Sequence, residues 1–263
     1  MTENISIILV EPQGPINIGS VCRTMMNFGF TNLRLVNPTK HYKSLLAKKM
    51  SLSAFSILEK APVFIDLRSA LSDIQIAFGT TRRFGKYRKK FFTPSGAAKK
   101  INAPYQKTDC ALVMGPEDTG LETKDLDLCQ HFITIPTHES YPSMNLSHAL
   151  SILLYEISLE SDTGKNYHAS NLNSSSLNSS NLNNSRSREL ATGDEIENMF
   201  MHMKKTLVDI DFLDKQNPDH LLRTFRRIFG QAGLTSRDIR ILRGLMSRID
   251  WTEAQRRKNK NLN

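Results

Sequence analysis

Two hydrophobic rhythms alternate through the first 160 residues of the chain. Short apolar, β-branched runs at residues 5–10, 33–36, 74–78, 110–114 and 132–135 are bounded by Gly, Pro, Asn or Asp. Runs of that length between such breakers read as buried strands. Between them, residues 18–28, 44–58, 67–72, 123–129 and 146–159 repeat apolar positions at helical spacing. In the last, Leu146, Leu150, Leu153, Leu154 and Ile157 recur at three and four. Strands alternating with helices predict an α/β domain with a mostly parallel sheet. In such sheets ligands bind beyond the carboxyl ends of the strands, so the loops there are where chemistry is expected.

Residues 170–187 break the rhythm with eight Ser, six Asn, three Leu and one Arg. Such a stretch cannot bury enough apolar surface to offset its ordering entropy, and it reads as a flexible linker. This gives three parts: an α/β domain over residues 1–160, a linker over 161–188 and a helical module over 189–263. In the module, a helix over 194–208 repeats Ile196, Met199, Phe200, Met203 and Leu207. A second helix over 219–229 is expected to end at Gly230 as its left-handed cap. Thr235 followed by Asp238 resembles a capping box opening a third helix. That helix has Ile239, Leu242, Leu245, Met246 and Ile249 on one face, with Arg237, Arg240, Arg243 and Arg248 largely off it.

Composition narrows the class. A chain of 263 residues can bury a core without metal or disulfide staples. Cys22, Cys110 and Cys129 are odd in number and widely spaced, which excludes a disulfide scaffold and makes a reducing cytoplasm the default. The sequence holds no run of eighteen apolar residues and no basic leader ahead of a hydrophobic stretch, so neither a membrane span nor a secretory signal is expected. The net charge of +9 is concentrated. Residues 82–100 carry eight bases and no acid, and residues 220–263 carry eleven bases and three acids. Two basic patches on an otherwise acidic body suit a polyanion, because clustered Lys and Arg gain by displacing condensed counterions.

Three strand-end loops hold the candidate chemistry. The first, residues 11–23, packs two prolines and two glycines before a helix, with Asn17 where an N-cap is expected and Arg23 about one turn on. The second is Met114-Gly115-Pro116-Glu117-Asp118-Thr119-Gly120-Leu121. Neither matches a Rossmann or Walker phosphate cradle. The third, residues 135–147, carries two prolines and many short polar side chains. Cys129 and His131 lack further ligands for a metal, and Ser143 with His138 and His148 lacks the elbow of a hydrolase. The residues alone thus describe an α/β domain with three unusual loops and a basic helical tail, acting on nucleic acid.

Those three loops, in this order, resemble the three motifs of the SPOUT methyltransferases of the SpoU/TrmH type. Asn17-Ile18-Gly19 with Arg23 is similar to motif 1, and Gly115, Glu117, Gly120 and Leu121 to motif 2. Ile135-Pro136 followed by Ser143-Met144-Asn145-Leu146-Ser147 is similar to motif 3. The tail, with Phe229-Gly230, Ala232, Leu234-Thr235 and Ile241-Leu242-Arg243-Gly244, resembles a C-terminal extension found in one branch of that family. That branch methylates the ribose 2′-hydroxyl of cytidine or uridine at position 32 of tRNA.

The resemblance implies a parallel sheet flanked by helices, a trefoil knot over residues 111–159 and a homodimer with its active site at the subunit interface. It implies S-adenosylmethionine as methyl donor, S-adenosylhomocysteine as product and no metal. The donor's contacts would be Thr80, Thr81, Arg82, Gly115, Ile135, Pro142, Ser143 and Met144. Pro142 stands where the family commonly has a small polar residue, and it removes one backbone N–H. Arg23 would be the catalytic residue. A guanidinium is a poor proton acceptor and suits orientation and charge stabilisation better than proton removal. Ser143 and Asn145 would position the ribose or the arginine, with Asn17 and Glu117 completing the catalytic set. The expected partners are tRNA and a second copy of the chain, with no membrane, in the cytoplasm.

Overall fold

Six strands form one sheet in the order β3-β2-β1-β5-β4-β6, with every pairing parallel. They are β1 (Ile5–Val10), β2 (Leu33–Val36), β3 (Val63–Phe64), β4 (Ile76–Thr80), β5 (Cys110–Met114) and β6 (His131–Ile133). The computed structural model describes residues 2–82, 90–103, 105, 107–161 and 190–260. The expected linker and the middle of the first basic run lie outside the described residues.

β1 and β5 are adjacent at the centre of the sheet and buried throughout, as strands covered on both faces must be. Their apolar runs were therefore the clearest in the sequence. β3 has only two residues at the sheet edge, with Val63 exposed, and is too short to show the pattern of a buried strand. The expected strand at 74–78 begins two residues later, at Ile76.

Helices α1 (Pro15–Asn27), α2 (Leu45–Ser51), α3 (Phe55–Lys60), α4 (Leu67–Ala70), α5 (Pro94–Asn102), α6 (Thr123–Leu126) and α7 (Leu146–Glu160) connect and flank the strands. α1 buries Ile18, Val21, Cys22 and Met25, one stripe at helical spacing, and leaves Arg23 exposed. Its start differs from expectation. Gly14 is the N-cap and Pro15 presets the first turn, so Asn17 lies inside the helix and Arg23 two turns in. The expected helix at 44–58 is broken, because Leu52 takes φ 53° and a short 3₁₀ turn separates α2 from α3. Gly19 explains how closely α2 approaches α1: a Cβ there would lie 2.5 Å from the Ala47 carbonyl oxygen.

Cys22, Cys110 and Cys129 are all buried and free, and burial pushes the thiols of Cys22 and Cys110 up to about 12. His131, also buried, packs among Phe78, Phe92 and Tyr105, with its Nε2 3.1 Å from the Tyr105 hydroxyl.

The chain divides into two compact units, Met1–Ala70 with Ile76–Ser187 and Leu71–Gln75 with Arg188–Asn263. The second contains α8 (Gly193–Asp209), α9 (Pro218–Ala232) and α10 (Ser236–Lys260). Thr192 and Glu195 form a reciprocal capping box at the start of α8. The core of this unit joins Met199, Phe200 and Met203 of α8 to Leu222 of α9 and to Ile239 and Met246 of α10. Leu242 and Ile249 pack against it, but Leu245, expected on that face, is exposed. α9 runs through Gly230 and ends at Gly233, whose φ of 63° is the left-handed cap. Thr235 and Asp238 form the expected reciprocal pair, with Thr235 N donating to Asp238 Oδ2 at 2.9 Å and Asp238 N to Thr235 Oγ1 at 3.2 Å. Arg237, Arg240, Arg243 and Arg248 are all exposed. Among the described residues, no helix is long and apolar enough to cross a membrane.

Candidate active site

The sheet order sets β1, β5, β4 and β6 side by side. Parallel strands send all their carboxyl ends to one edge, so the loops after these four strands converge there. The loops after β5, β4 and β6 line an open cleft there. Thr80, Thr81 and Arg82 line it from the end of β4, and Gly115 and Glu117 from the end of β5. Ile135, Pro142, Ser143 and Met144 line it from the loop after β6. All eight residues expected at a cofactor therefore share one cleft.

A hydrogen-bonded chain of side chains ties the three loops together. Glu117 Oε2 accepts from Gln13 N at 3.0 Å, and its Oε1 accepts from Gly14 N at 3.4 Å and from Asn17 Nδ2 at 2.8 Å. Asn17 Oδ1 accepts from Asn145 Nδ2 at 2.9 Å. Asn145 is also the N-cap of α7, its Oδ1 accepting from Ser147 N at 3.0 Å and Ser147 Oγ at 2.8 Å. Each amide is thus used on both its donor and its acceptor side. Glu117 occupies the mouth of the α1 N-terminus, where a carboxylate satisfies otherwise unpaired N–H groups.

The loop after β5 depends on two glycines. A Cβ on Gly115 would lie 2.2 Å from the Leu121 nitrogen, and Gly120 has φ 65° and donates to Pro116 O at 2.8 Å. The turn doubles back on itself tightly enough that only glycine fits. The Asp118 carboxyl beside it is held below the usual range by the Gln13 side chain and by Thr119. Asp125 moves the other way, raised by burial behind the loop. The loop after β6 is closed by Thr137 Oγ1 donating to Pro142 O at 3.2 Å and by Tyr141 N donating to His138 O at 3.1 Å. His138 pairs with Ser140 at 2.7 Å rather than with Ser143.

Of the expected catalytic residues, Ser143 and Glu117 line the cleft, while Asn17 and Asn145 brace its rim. Arg23 does not line it. It is exposed on α1 and makes no hydrogen bond or ion pair to any described residue. Its neighbour Thr24 meets Ser151 of α7 at 3.2 Å, which fixes the helix that carries Arg23 against α7. The cleft also takes Ile133 and Ala149, which the sequence did not single out, together with Met114 and Leu146 from the ends of the second and third loops. Thr80 Oγ1 donates to Val113 O at 3.0 Å, leaving that hydroxyl to accept from a ligand. The charged side chains among the described lining residues are Arg82, Glu117 and Asp118. No cluster of three His, Cys, Asp or Glu with metal-holding geometry occurs among the described residues.

Residues 4–155 match the SpoU rRNA Methylase family, and residues 194–261 match the C-terminal domain of the tRNA methyltransferase TrmJ. The chain is 32% identical over 248 residues to the tRNA (cytidine/uridine/adenosine-2′-O-)-methyltransferase TrmJ of Pseudomonas aeruginosa, covering 94% of each. It is 28% identical over 253 residues to the tRNA (cytidine/uridine-2′-O-)-methyltransferase TrmJ of Sodalis glossinidius, covering 96% of this chain and 94% of that one. The crystal structure of TrmJ from Z. mobilis superposes with a TM-score of 0.77 at 29% identity, over 93% of this chain and 98% of that one.

Proposed function

The chain belongs to the SpoU methylase family, and from that premise we propose that it is an S-adenosylmethionine-dependent tRNA methyltransferase acting on the ribose 2′-hydroxyl of cytidine or uridine at position 32. The observation that carries the reading is the Asn145–Asn17–Glu117 chain, which ties three sequence-distant loops together at the rim of one cleft. The names of the relatives supply the substrate: both act on tRNA 2′-oxygens of cytidine and uridine. The resemblance of the tail supplies position 32.

The residues present fit the donor. Gly115 brings bare backbone to the cleft, Thr80 offers a hydroxyl acceptor, and Met114, Ile133, Ile135 and Leu146 give apolar walls. S-adenosylmethionine, when bound, supplies a methyl already activated by its positive sulfur, needs no metal, and departs as S-adenosylhomocysteine. The protein must align the 2′-oxygen with that methyl and stabilise charge as the hydroxyl proton leaves. Ser143, on the lining, and Asn145, on the rim, hold the ribose in place. Arg23 orients the hydroxyl and stabilises the developing alkoxide through its fork of N–H donors. Because Arg23 lies off the cleft of its own chain, a homodimer through the first unit completes the site, Arg23 of the partner subunit facing this cleft. The trefoil knot over residues 111–159 belongs to the same reading. The second unit binds tRNA, residues 161–188 tether it, and the enzyme works in the cytoplasm, where its substrate is.

The test is methyl transfer from labelled S-adenosylmethionine to total tRNA lacking ribose methylation, with the product mapped by mass spectrometry. A 2′-O-methyl pyrimidine at position 32 is the expected result. Methylation elsewhere would discard the position and keep the chemistry, and absence of transfer to any tRNA would overturn the reading.

A further inference from the structure

The outward side of α10 carries a residue that its own unit does not require. Gly244 is exposed in the body of this 25-residue helix, and a Cβ there would meet nothing within 4 Å. Glycine inside a helix is unfavourable relative to alanine, so neither packing nor helix stability accounts for it. Its surroundings form one stripe. Arg237, Arg240, Ile241, Arg248 and Trp251 lie at seven, four and three residues before it and at four and seven after it, all exposed. That spacing puts them on one face of the helix.

The charges on this stripe have no acidic partner among the described residues. Arg226 is bonded to Glu197, and Arg256 and Arg257 to Glu253. The side chains of Arg237, Arg240 and Arg243 make no hydrogen bond or ion pair to any described residue. The Arg248 guanidinium lies 4.3 Å from the centroid of the Trp251 ring, holding an exposed indole in place by a cation–π contact.

We propose that this stripe is an RNA-docking face on which a tRNA ribose–phosphate backbone crosses α10 at Gly244. Arg240 and Arg248 take phosphates on either side of the crossing, and Trp251 stacks on an unpaired base. The inference rests on the tRNA substrate proposed above and assigns residues to its binding. Charge complementarity selects the occupant, because arginines without an acidic partner among the described residues, beside an exposed indole, match a polyanion that also offers aromatic faces. A second copy of the chain fits poorly, since a two-fold contact through this face would set arginine against arginine.

The experiment uses the full-length chain and unmodified tRNA, with three readouts: tRNA affinity, S-adenosylhomocysteine affinity by calorimetry and thermal midpoint. Gly244→Gln should raise the tRNA Kd at least about tenfold while the midpoint holds or rises, because glutamine is the better helix former. Trp251→Ala should raise it about tenfold, with Trp251→Phe restoring most of the loss. Arg240→Ala should lower the slope of log Kd against log salt by about one. Cofactor affinity should not move. Wild-type tRNA affinity in both Gly244→Gln and Trp251→Ala would overturn the docking face. A fall in oligomeric mass in these variants would make the stripe a subunit contact and equally overturn the RNA assignment. The substrate reading fails separately, if the unaltered chain methylates no tRNA.

Discussion

The side-chain amide of Asn145 donates to the side-chain oxygen of Asn17 at 2.9 Å across 128 residues of sequence. Asn17 passes the connection on to Glu117 at 2.8 Å. A primary amide donates to a carboxylate through its nitrogen while its oxygen accepts from a neighbour. Asn17→Asp replaces that donor with a second carboxylate against Glu117. Methyl transfer should fall about 100-fold, in line with loss of a positioned polar group. Cofactor affinity should change far less, because Asn17 does not line the cleft. Steady-state kinetics beside calorimetry with S-adenosylhomocysteine separates the two, and equal losses in both would refute the bracing role.

Arg23→Ala should abolish methyl transfer and leave tRNA affinity within about twofold, since one exposed arginine is a small part of a basic surface. Arg23→Lys should rescue little, because lysine keeps the charge but loses the planar fork. Single-turnover rates at saturating tRNA report the chemical step directly. Turnover retained in Arg23→Ala would remove this residue from the mechanism.

Gly115→Ala places a methyl 2.2 Å from the Leu121 nitrogen and 2.4 Å from the Gly120 carbonyl carbon, both of them backbone. The turn must open, so the variant should lose S-adenosylhomocysteine binding and about 1–3 kcal/mol of stability, the usual range for overpacking. Calorimetry and a urea melt check it, and unchanged binding would mean that the turn does not contact the cofactor.

Burial, reinforced by the charge of Lys100, lowers the pKa of His131 from 6.5 to about 4. Between those values the unfolded chain binds the proton and the folded chain does not, so stability rises with pH. The contribution is complete above pH 6.5 and is lost as pH falls toward 4, amounting to about 3 kcal/mol at most. Denaturant midpoints measured from pH 7 to pH 4 should show this decline, and His131→Gln should flatten it. An equal decline in the variant would place the titration on other groups.

Much of this fold was legible because its central strands are buried throughout and apolar but for Ser6, and α7 has a clean helical period. What escaped depended on distant partners or on exposure. α5 opens on Thr93 and Pro94 and is otherwise small residues and lysines, so it shows no broad apolar stripe although Ala97, Ala98 and Ile101 are buried. The break at Leu52 has no breaker residue to announce it and accompanies the close packing of α2 on Gly19. Asn17 has the composition of a cap, but Gly14 and Pro15 start the helix and free its side chain for Glu117. In the cleft, the motif residues were readable as motifs, whereas their joining was not. A hydrogen bond between residues 17 and 145 leaves no periodicity in either segment.

The burial of Cys22, Cys110 and Cys129 has a practical side. A maleimide reacts with thiolate, and two of these thiols ionise only near 12 while all three are shielded from reagent. The native sequence is therefore silent toward such labels at neutral pH. Tyr141, 79% exposed and next to cleft-lining Pro142, is then a position where one introduced cysteine carries a fluorophore to the mouth of the cleft. Ligand entry becomes observable in real time without stripping a single native residue from the core.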